Sequence, residues 1–170
     1  MRVVIDSHEC GPGEEGELRV KGPQVCIGYL DTSLNADAFD DQGWFRTGDL
    51  GVVDRDGFVS ITGRLKDIII RKGENISAKE IEDLLHGHPK IADVAVIGVP
   101  DDASGERACA VVITAGDTPI TFDEMTDHLL RANLSKHKVP EQLEFIDALP
   151  RNPTGKVLKK DLRVQFGETS

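Results

Sequence analysis

The sequence has little of what several specialised function classes require. One tryptophan, one tyrosine and six phenylalanines make it 5% aromatic, which argues against the stacked platform of a single-strand nucleic-acid binder. Cations are outnumbered, 20 Lys and Arg against 30 Asp and Glu, and the net charge of −10 argues against a broad nucleic-acid surface. No apolar run approaches the ~18 residues of a membrane span, and the opening MRVVIDSHEC has no long apolar core of a signal peptide. The three cysteines, Cys10, Cys26 and Cys109, are widely spaced and odd in number. They fit neither a disulfide framework nor a zinc spacing, and point to a reducing, cytoplasmic setting. The five histidines have no partner at ligand spacing. Ser-His-Asp order, H-E-x-x-H and the Walker lysine are all missing, as are repeats and low-complexity segments. Two glycosylation patterns, at Asn75 and Asn133, read as chance matches without a secretion signal.

What is present is a globular composition, 39% hydrophobic and 29% charged over 170 residues. That length suits one ordinary domain, or one small domain plus a piece of another. The charge is uneven. From Pro150 to Ser170 five cations (Arg151, Lys156, Lys159, Lys160, Arg163) oppose two acids (Asp161, Glu168), a net of +3. A local anionic ligand and a solvated helix face both explain such an end, and composition favours the solvated face.

The pattern predicts an α+β chain in two parts. Residues 1–65 read as β-rich: a short apolar run at Val3 to Ile5, alternation from Glu17 to Val20, and a hairpin of Leu50 to Asp54 and Phe58 to Thr62. Leu34 to Phe39 suits a helical turn. Large apolar residues are too few here for a self-contained core, so the region reads as the end of a larger domain. Residues 66–170 predict a small domain with a short sheet flanked by helices. Ile68 to Ile70 is a strand, and Lys72-Gly73 a turn. Ser77 and Glu80 make a capping box ahead of the stripe Ile81, Leu84, Leu85. Val94 to Val99 and Ala108 to Ile113 read as strands. Thr121 and Glu124 make a second capping box, with the stripe Phe122, Met125, Leu129. Leu143 to Ile146 is a third strand, and a last helix covers about Leu158 to Phe166. His86 and His88 fall at a helix end, within reach of its dipole.

Several stretches carry candidate chemistry, each beside a plainer reading. Gly11 to Gly16 formally matches G-x-G-x-x-G, but Glu14 and Glu15 would repel phosphate and a strand follows, so it reads as a turn. In Thr47-Gly48-Asp49 the carboxylate is a candidate acceptor for ribose hydroxyls, or a turn aspartate. Arg64 could add ribose or phosphate contacts, or simply pair with an acid. At Lys72-Gly73 the glycine lets a ligand approach the backbone, or merely makes a tight turn. In PRNPTGK, Arg151 to Lys156 after Pro150, a Thr-Gly turn projects Lys156 as a compact positive charge toward a developing anion, or toward solvent.

The order of these stretches is more specific than any one of them. WFRTGDLG, then GRLKDIIIRKGENISAKEIE, then VAVIGVPD, then KVPEQLEFIDALPRNPTGK resembles the C-terminal third of the AMP-forming acyl-CoA synthetases, in the superfamily that includes luciferases and peptide-synthetase adenylation domains. The resemblance covers essentially the whole chain. It implies that Asp49 binds the ribose hydroxyls of ATP and of acyl-AMP, with Arg64 in support. It implies that Lys66 is the hinge about which the C-terminal domain rotates between two half-reactions. It places Lys72 and Gly73 at the CoA pantetheine tunnel, and makes Lys156 the lysine that bridges the α-phosphate and the substrate carboxylate, a residue acetylated in some members.

The implied function is that of an ATP-dependent carboxylate–CoA ligase, with a fatty acid or another organic acid as substrate. A peptide-synthetase adenylation domain, and a regulatory module recognised by a lysine acetyltransferase, are the alternatives. ATP, Mg2+ and CoA would serve the full-length enzyme. The phosphate loop, the adenine motif, the acyl pocket and the magnesium-binding acid are expected in a missing N-terminal domain of the same chain. The fragment by itself is expected to be inactive and to hold none of these ligands tightly.

Overall fold

A computed structural model of the chain describes residues 1–6 and 8–167. The chain is α+β and divides into two compact units, Met1–Lys66 and Asp67–Ser170.

The first unit is an antiparallel sheet of β1 (Arg2–Ile5), β2 (His8–Glu9), β3 (Gly16–Val20), β4 (Phe45–Val53) and β5 (Val59–Arg64), ordered β2-β1-β3-β4-β5. One short helix, α1 (Asn35–Ala38), lies in the long β3–β4 connection. The β4–β5 hairpin forms where the alternating pattern predicts it. Asp54 closes its turn, accepting the amides of Asp56 and Phe58 at 2.9 Å each. The buried apolar set is small: Val3, Val4, Leu18 and Leu50. Charge supplements it. Arg2 and Arg19 stand directly opposite each other across β1 and β3, a like-charge pairing that is unfavourable unless answered. Asp40 answers it, binding Arg2 through one oxygen and accepting Arg19 Nη1 on the same oxygen at 3.1 Å. Glu17 takes Arg19 Nε at 2.8 Å, and the Arg2 guanidinium stacks 4.5 Å from the Trp44 ring centroid.

The second unit is built on the long hairpin of β8 (Ile91–Asp101) and β9 (Gly105–Thr114), with β6 (Ile68–Arg71), β7 (Glu74–Ser77) and β10 (Gln142–Phe145) completing the sheet. β10 runs parallel to β9, and the other pairs are antiparallel. The helices are α2 (Ala78–Leu85), α3 (Phe122–Arg131) and α4 (Lys159–Phe166). Alternation along β8 and β9 sends successive side chains to opposite faces, and each face has its own core. Val94, Val96, Ala108, Ala110 and Val112 pack with Ile81 and Leu85 of α2 and Met125 and Leu129 of α3. Ala95, Ile97, Val99, Cys109 and Val111 pack with Leu149 and with Leu162 of α4. Each Val, Leu, Ile or Met side chain among them contributes roughly 1.5–3 kcal/mol on burial.

Two local expectations change. Glu74–Ser77, for which the sequence pattern predicts only the preceding Lys72-Gly73 turn and the cap at Ser77, is a strand, because its four residues pair in full with Ile68–Arg71. In α3, Phe122 stays 43% exposed. The residue before the cap, Ile120, takes the core place with Met125, in the arrangement of a hydrophobic staple. The Thr121–Glu124 capping box itself is complete, and Ser77 Oγ accepts the Glu80 amide at 3.3 Å.

Candidate functional site

Asp49 and Arg64 are brought together within the first unit. They are register partners on β4 and β5, and Arg64 Nε lies 2.8 Å from Asp49 Oδ1. Asp49 projects from an irregularity in β4. Between the pairs Arg19↔Arg46 and Glu17↔Leu50, β4 has three residues, 47–49, where β3 has one, Leu18. Thr47 Oγ1 pins this bulge by donating to the Leu18 carbonyl at 2.6 Å and accepting the Asp49 amide at 3.1 Å. Bulges of this kind re-aim a side chain. The result is a partly exposed carboxylate with one oxygen engaged by Arg64, an acceptor suited to the hydroxyls of a ribose.

Lys66 is exposed on the short 3-10 turn Leu65–Asp67 between β5 and β6, and the boundary of the two units follows it. Asp67 is held by α4, with Arg163 Nη2 at 3.7 Å and Lys159 Nζ at 4.0 Å. Lys159 also pairs with Glu82 at 2.7 Å.

Lys72 and Gly73 are the two central residues of the β6–β7 hairpin, with φ of +51° and +80°. Two successive positive values define the turn type that matches strand twist, and they are unusual for a lysine. The hairpin is rooted in the α2–α3 core through Ile69 and Ile76. Arg71, immediately before the turn, is fastened by donating to the His137 carbonyl at 2.7 Å and by pairing with Glu141. A shallow cavity beside the turn is lined by Arg71, Lys72, Glu74, Lys136 and His137.

Lys156 sits on a separate loop, rooted in the opposite core through Leu149 and Val157. Asn152 organises the loop. Its Oδ1 accepts the amides of Thr154 at 3.1 Å and Lys156 at 2.9 Å, and the Thr154 hydroxyl at 2.8 Å. Its backbone accepts the Gly155 amide and donates to the Lys156 carbonyl, both at 2.9 Å. Arg151 bridges the Gly155 carbonyl to Asp93. The Lys156 backbone is thus fixed on both sides, while its exposed ammonium makes no ion pair or hydrogen bond among the described residues. The sequence reading missed Arg151 and Asn152 as loop builders. Asn-Pro-Thr-Gly carries the signal, since Asn, Pro and Gly are favoured at the first, second and fourth turn positions.

The two histidines of the α2–α3 side are also less isolated than their spacing suggests. His88 and His128 meet edge to face with ring centroids 4.9 Å apart. His88 Nδ1 accepts the Lys90 amide at 3.2 Å. Burial, then the neighbouring His128 and Lys90, lower its pKa, with Glu124 opposing. His88 therefore acts as a neutral packing group rather than a charge on the helix dipole. Among the described residues no cluster of three or more His, Cys, Asp or Glu could hold a metal ion, and no helix is long and apolar enough to cross a membrane.

The second unit thus carries a helical core on each face of its sheet and presents the Lys156 loop from one of them. Residues 80–156 match the model of the AMP-binding enzyme C-terminal domain family. The chain belongs to the adenylate-forming superfamily, and these residues form its AMP-binding enzyme C-terminal domain. It is 44% identical over 166 residues to the medium-chain fatty-acid–CoA ligase of Escherichia coli (strain K12), covering 96% of this chain and 29% of that protein. It is 43% identical over 169 residues to the salicyl-AMP ligase / salicyl-S-ArCP synthetase of Mycobacterium tuberculosis, covering 98% of this chain and 30% of that protein. The crystal structure of ATP-bound MatB from Rhodopseudomonas palustris superimposes with a TM-score of 0.90 at 38% identity, over 98% of this chain and 34% of that one. The chain therefore spans about 30% of the length of these curated relatives.

Proposed function

We propose that the chain supplies the mobile, lysine-delivering part of an ATP-dependent carboxylate–CoA ligase. In the first step a substrate carboxylate oxygen attacks the α-phosphorus of ATP, the bond to pyrophosphate breaks, and acyl-AMP forms. Both reactants are anionic. Lys156 holds them together and offsets the charge that builds in the transition state. Asp49 holds the ribose hydroxyls, steadied by Arg64. In the second step the second unit turns about Lys66 and offers the Lys72-Gly73 turn. The CoA sulfur then attacks the acyl carbon, AMP leaves, and the thiol proton passes to solvent.

The observation that carries this reading is the Lys156 loop. Its backbone is pinned by Asn152 while its ammonium remains exposed without an ion-pair partner among the described residues, which is what a charge delivered to an external anion requires. In a ligase carrying this chain, Lys156→Ala is expected to slow acyl-AMP formation about 10²–10³-fold, while supplied acyl-AMP still becomes thioester at a near-normal rate. Equal loss of both steps overturns the assignment. Acetylation of Lys156, which removes its charge, should have the same selective effect. The name of the Mycobacterium relative favours a second acceptor, a carrier-protein thiol. Thioester formation with CoA as the sole thiol separates the two.

A further inference from the structure

Strand β6 leaves β9 after one register pair, Arg71 with Gly105. At the next rung the Ile70 amide finds a side chain instead of main chain: Glu106 Oε2 accepts it at 2.8 Å. The carboxylate lies across Gly98 of β8, where a Cβ would stand 2.9 Å from Glu106 Oε1 and 3.0 Å from its carboxyl carbon. Glycine at 98 thus leaves the volume that the carboxylate fills. On the turn side of the same pair, the Ser104 carbonyl accepts the Lys72 amide at 2.8 Å. Ser104 is in turn held by Asp101, whose Oδ1 accepts its amide at 2.8 Å and its hydroxyl at 2.6 Å.

We infer that Glu106 is a positioning residue for the second half-reaction. By replacing the missing ladder acceptor it fixes the β6–β7 hairpin against β9, and so sets where the Lys72-Gly73 turn stands when the acceptor thiol arrives. Gly98 makes room for it. This rests on the reading of that turn as the face offered to the thiol. The main chain cannot do the same work, because β6 and β9 share no register pair beyond Arg71 and Gly105. Without the carboxylate the Ile70 amide would have no acceptor on β9, and β6 would be held to β9 through the Arg71–Gly105 pair and the Lys72 amide on Ser104, with Ile69 and Ile76 still rooted in the core.

The test compares Glu106→Ala, Glu106→Gln and Gly98→Ala by amide hydrogen exchange in this chain, then by half-reaction rates in a ligase carrying it. In Glu106→Ala and Gly98→Ala, exchange at Ile70 is expected to rise about tenfold or more, with the Ile97 and Val111 amides of the β8–β9 ladder unchanged. Glu106→Gln keeps an acceptor oxygen and most of the protection. In the ligase, Glu106→Ala should slow thioester formation from supplied acyl-AMP about tenfold and leave acyl-AMP formation unchanged. Unchanged exchange at Ile70, or slowing of both half-reactions together, overturns the inference. So does loss of ladder protection in step with Ile70 in both Glu106→Ala and Gly98→Ala, since that is a general loss of stability. Gly73→Leu is the control for the underlying reading. If it leaves thioester formation untouched, the reading of the turn fails. If it slows that step and Glu106→Ala does not, the role of Glu106 fails and the reading stands.

Discussion

In the first unit Arg2 and Arg19 face each other across two strands, and one carboxylate, Asp40, reconciles them. In the second, Ile97, Val99, Val111 and Leu162 meet in a cluster with no charge to reconcile. The two interiors fail in different ways. An apolar cluster is non-directional and is damaged by lost volume. An ion network depends on each partner keeping its charge and angle, so it is damaged by a single proton. The first unit also turns Ile27, Leu30 and Phe58 outward, at 106%, 107% and 72% exposure. A unit that keeps large side chains outside and charges inside has an interior too small to stand on apolar burial alone.

The comparison is broken most directly by emptying the apolar side. Leu162→Ala, at a fully buried position, should cost the second unit about 2–5 kcal/mol. Denaturant melts followed by amide exchange in β8 and β9 measure it, and a loss well under 1 kcal/mol would mean that α4 is not part of that core. Asp40→Asn should cost the first unit about 1–3 kcal/mol, because it leaves two guanidiniums facing each other.

Acid sharpens the same contrast. Burial works against the charged form of Asp40, but the Trp44 amide, Arg19, the Gln42 amide and Arg2 outweigh it and hold its pKa at about 2. Its folded pKa lies below its unfolded one, so its contribution is complete above the usual 3.8 and is lost as pH falls toward 2. Exchange in β1 and β3 should rise over that interval in the native chain, and Asp40→Asn should flatten the response. The smallest effect belongs to His88. Its pKa is depressed, chiefly by burial, so its neutral ring contributes fully above the ordinary value of 6.5 and less as pH falls below it. His88→Gln should remove that decline in the second unit as pH falls below 6.5. A decline of equal slope in the variant would assign it to another group.

What could be read from the sequence follows the range of the interactions. The β4–β5 hairpin, the Thr121–Glu124 box and the paired apolar strands rest on neighbours a few residues apart, and each leaves a local pattern. The strand at Glu74–Ser77 was hidden because its four residues carry a single buried apolar side chain, Ile76. The Arg2–Asp40 pair spans 38 residues, Glu106 to Ile70 spans 36, and His88 to His128 spans 40. No periodicity encodes contacts of that separation. Of the candidate site, the residue types were legible in order. The supports were less so: Thr47 under Asp49 and Glu106 behind Lys72 act by aiming another residue rather than by any motif of their own, while Asn152 under Lys156 leaves only the trace of an Asn-Pro-Thr-Gly turn.

The hairpin that bears Lys72 and Gly73 grows from the core on one side of the β8–β9 sheet, and the loop that bears Lys156 grows from the core on the other. A stiff sheet between two such roots cannot flex one tip into the place of the other. On the proposed reading, a single reaction centre meets these tips by turns, and the sequence of the two chemical events is enforced by shape: admitting one tool means the other has already been withdrawn.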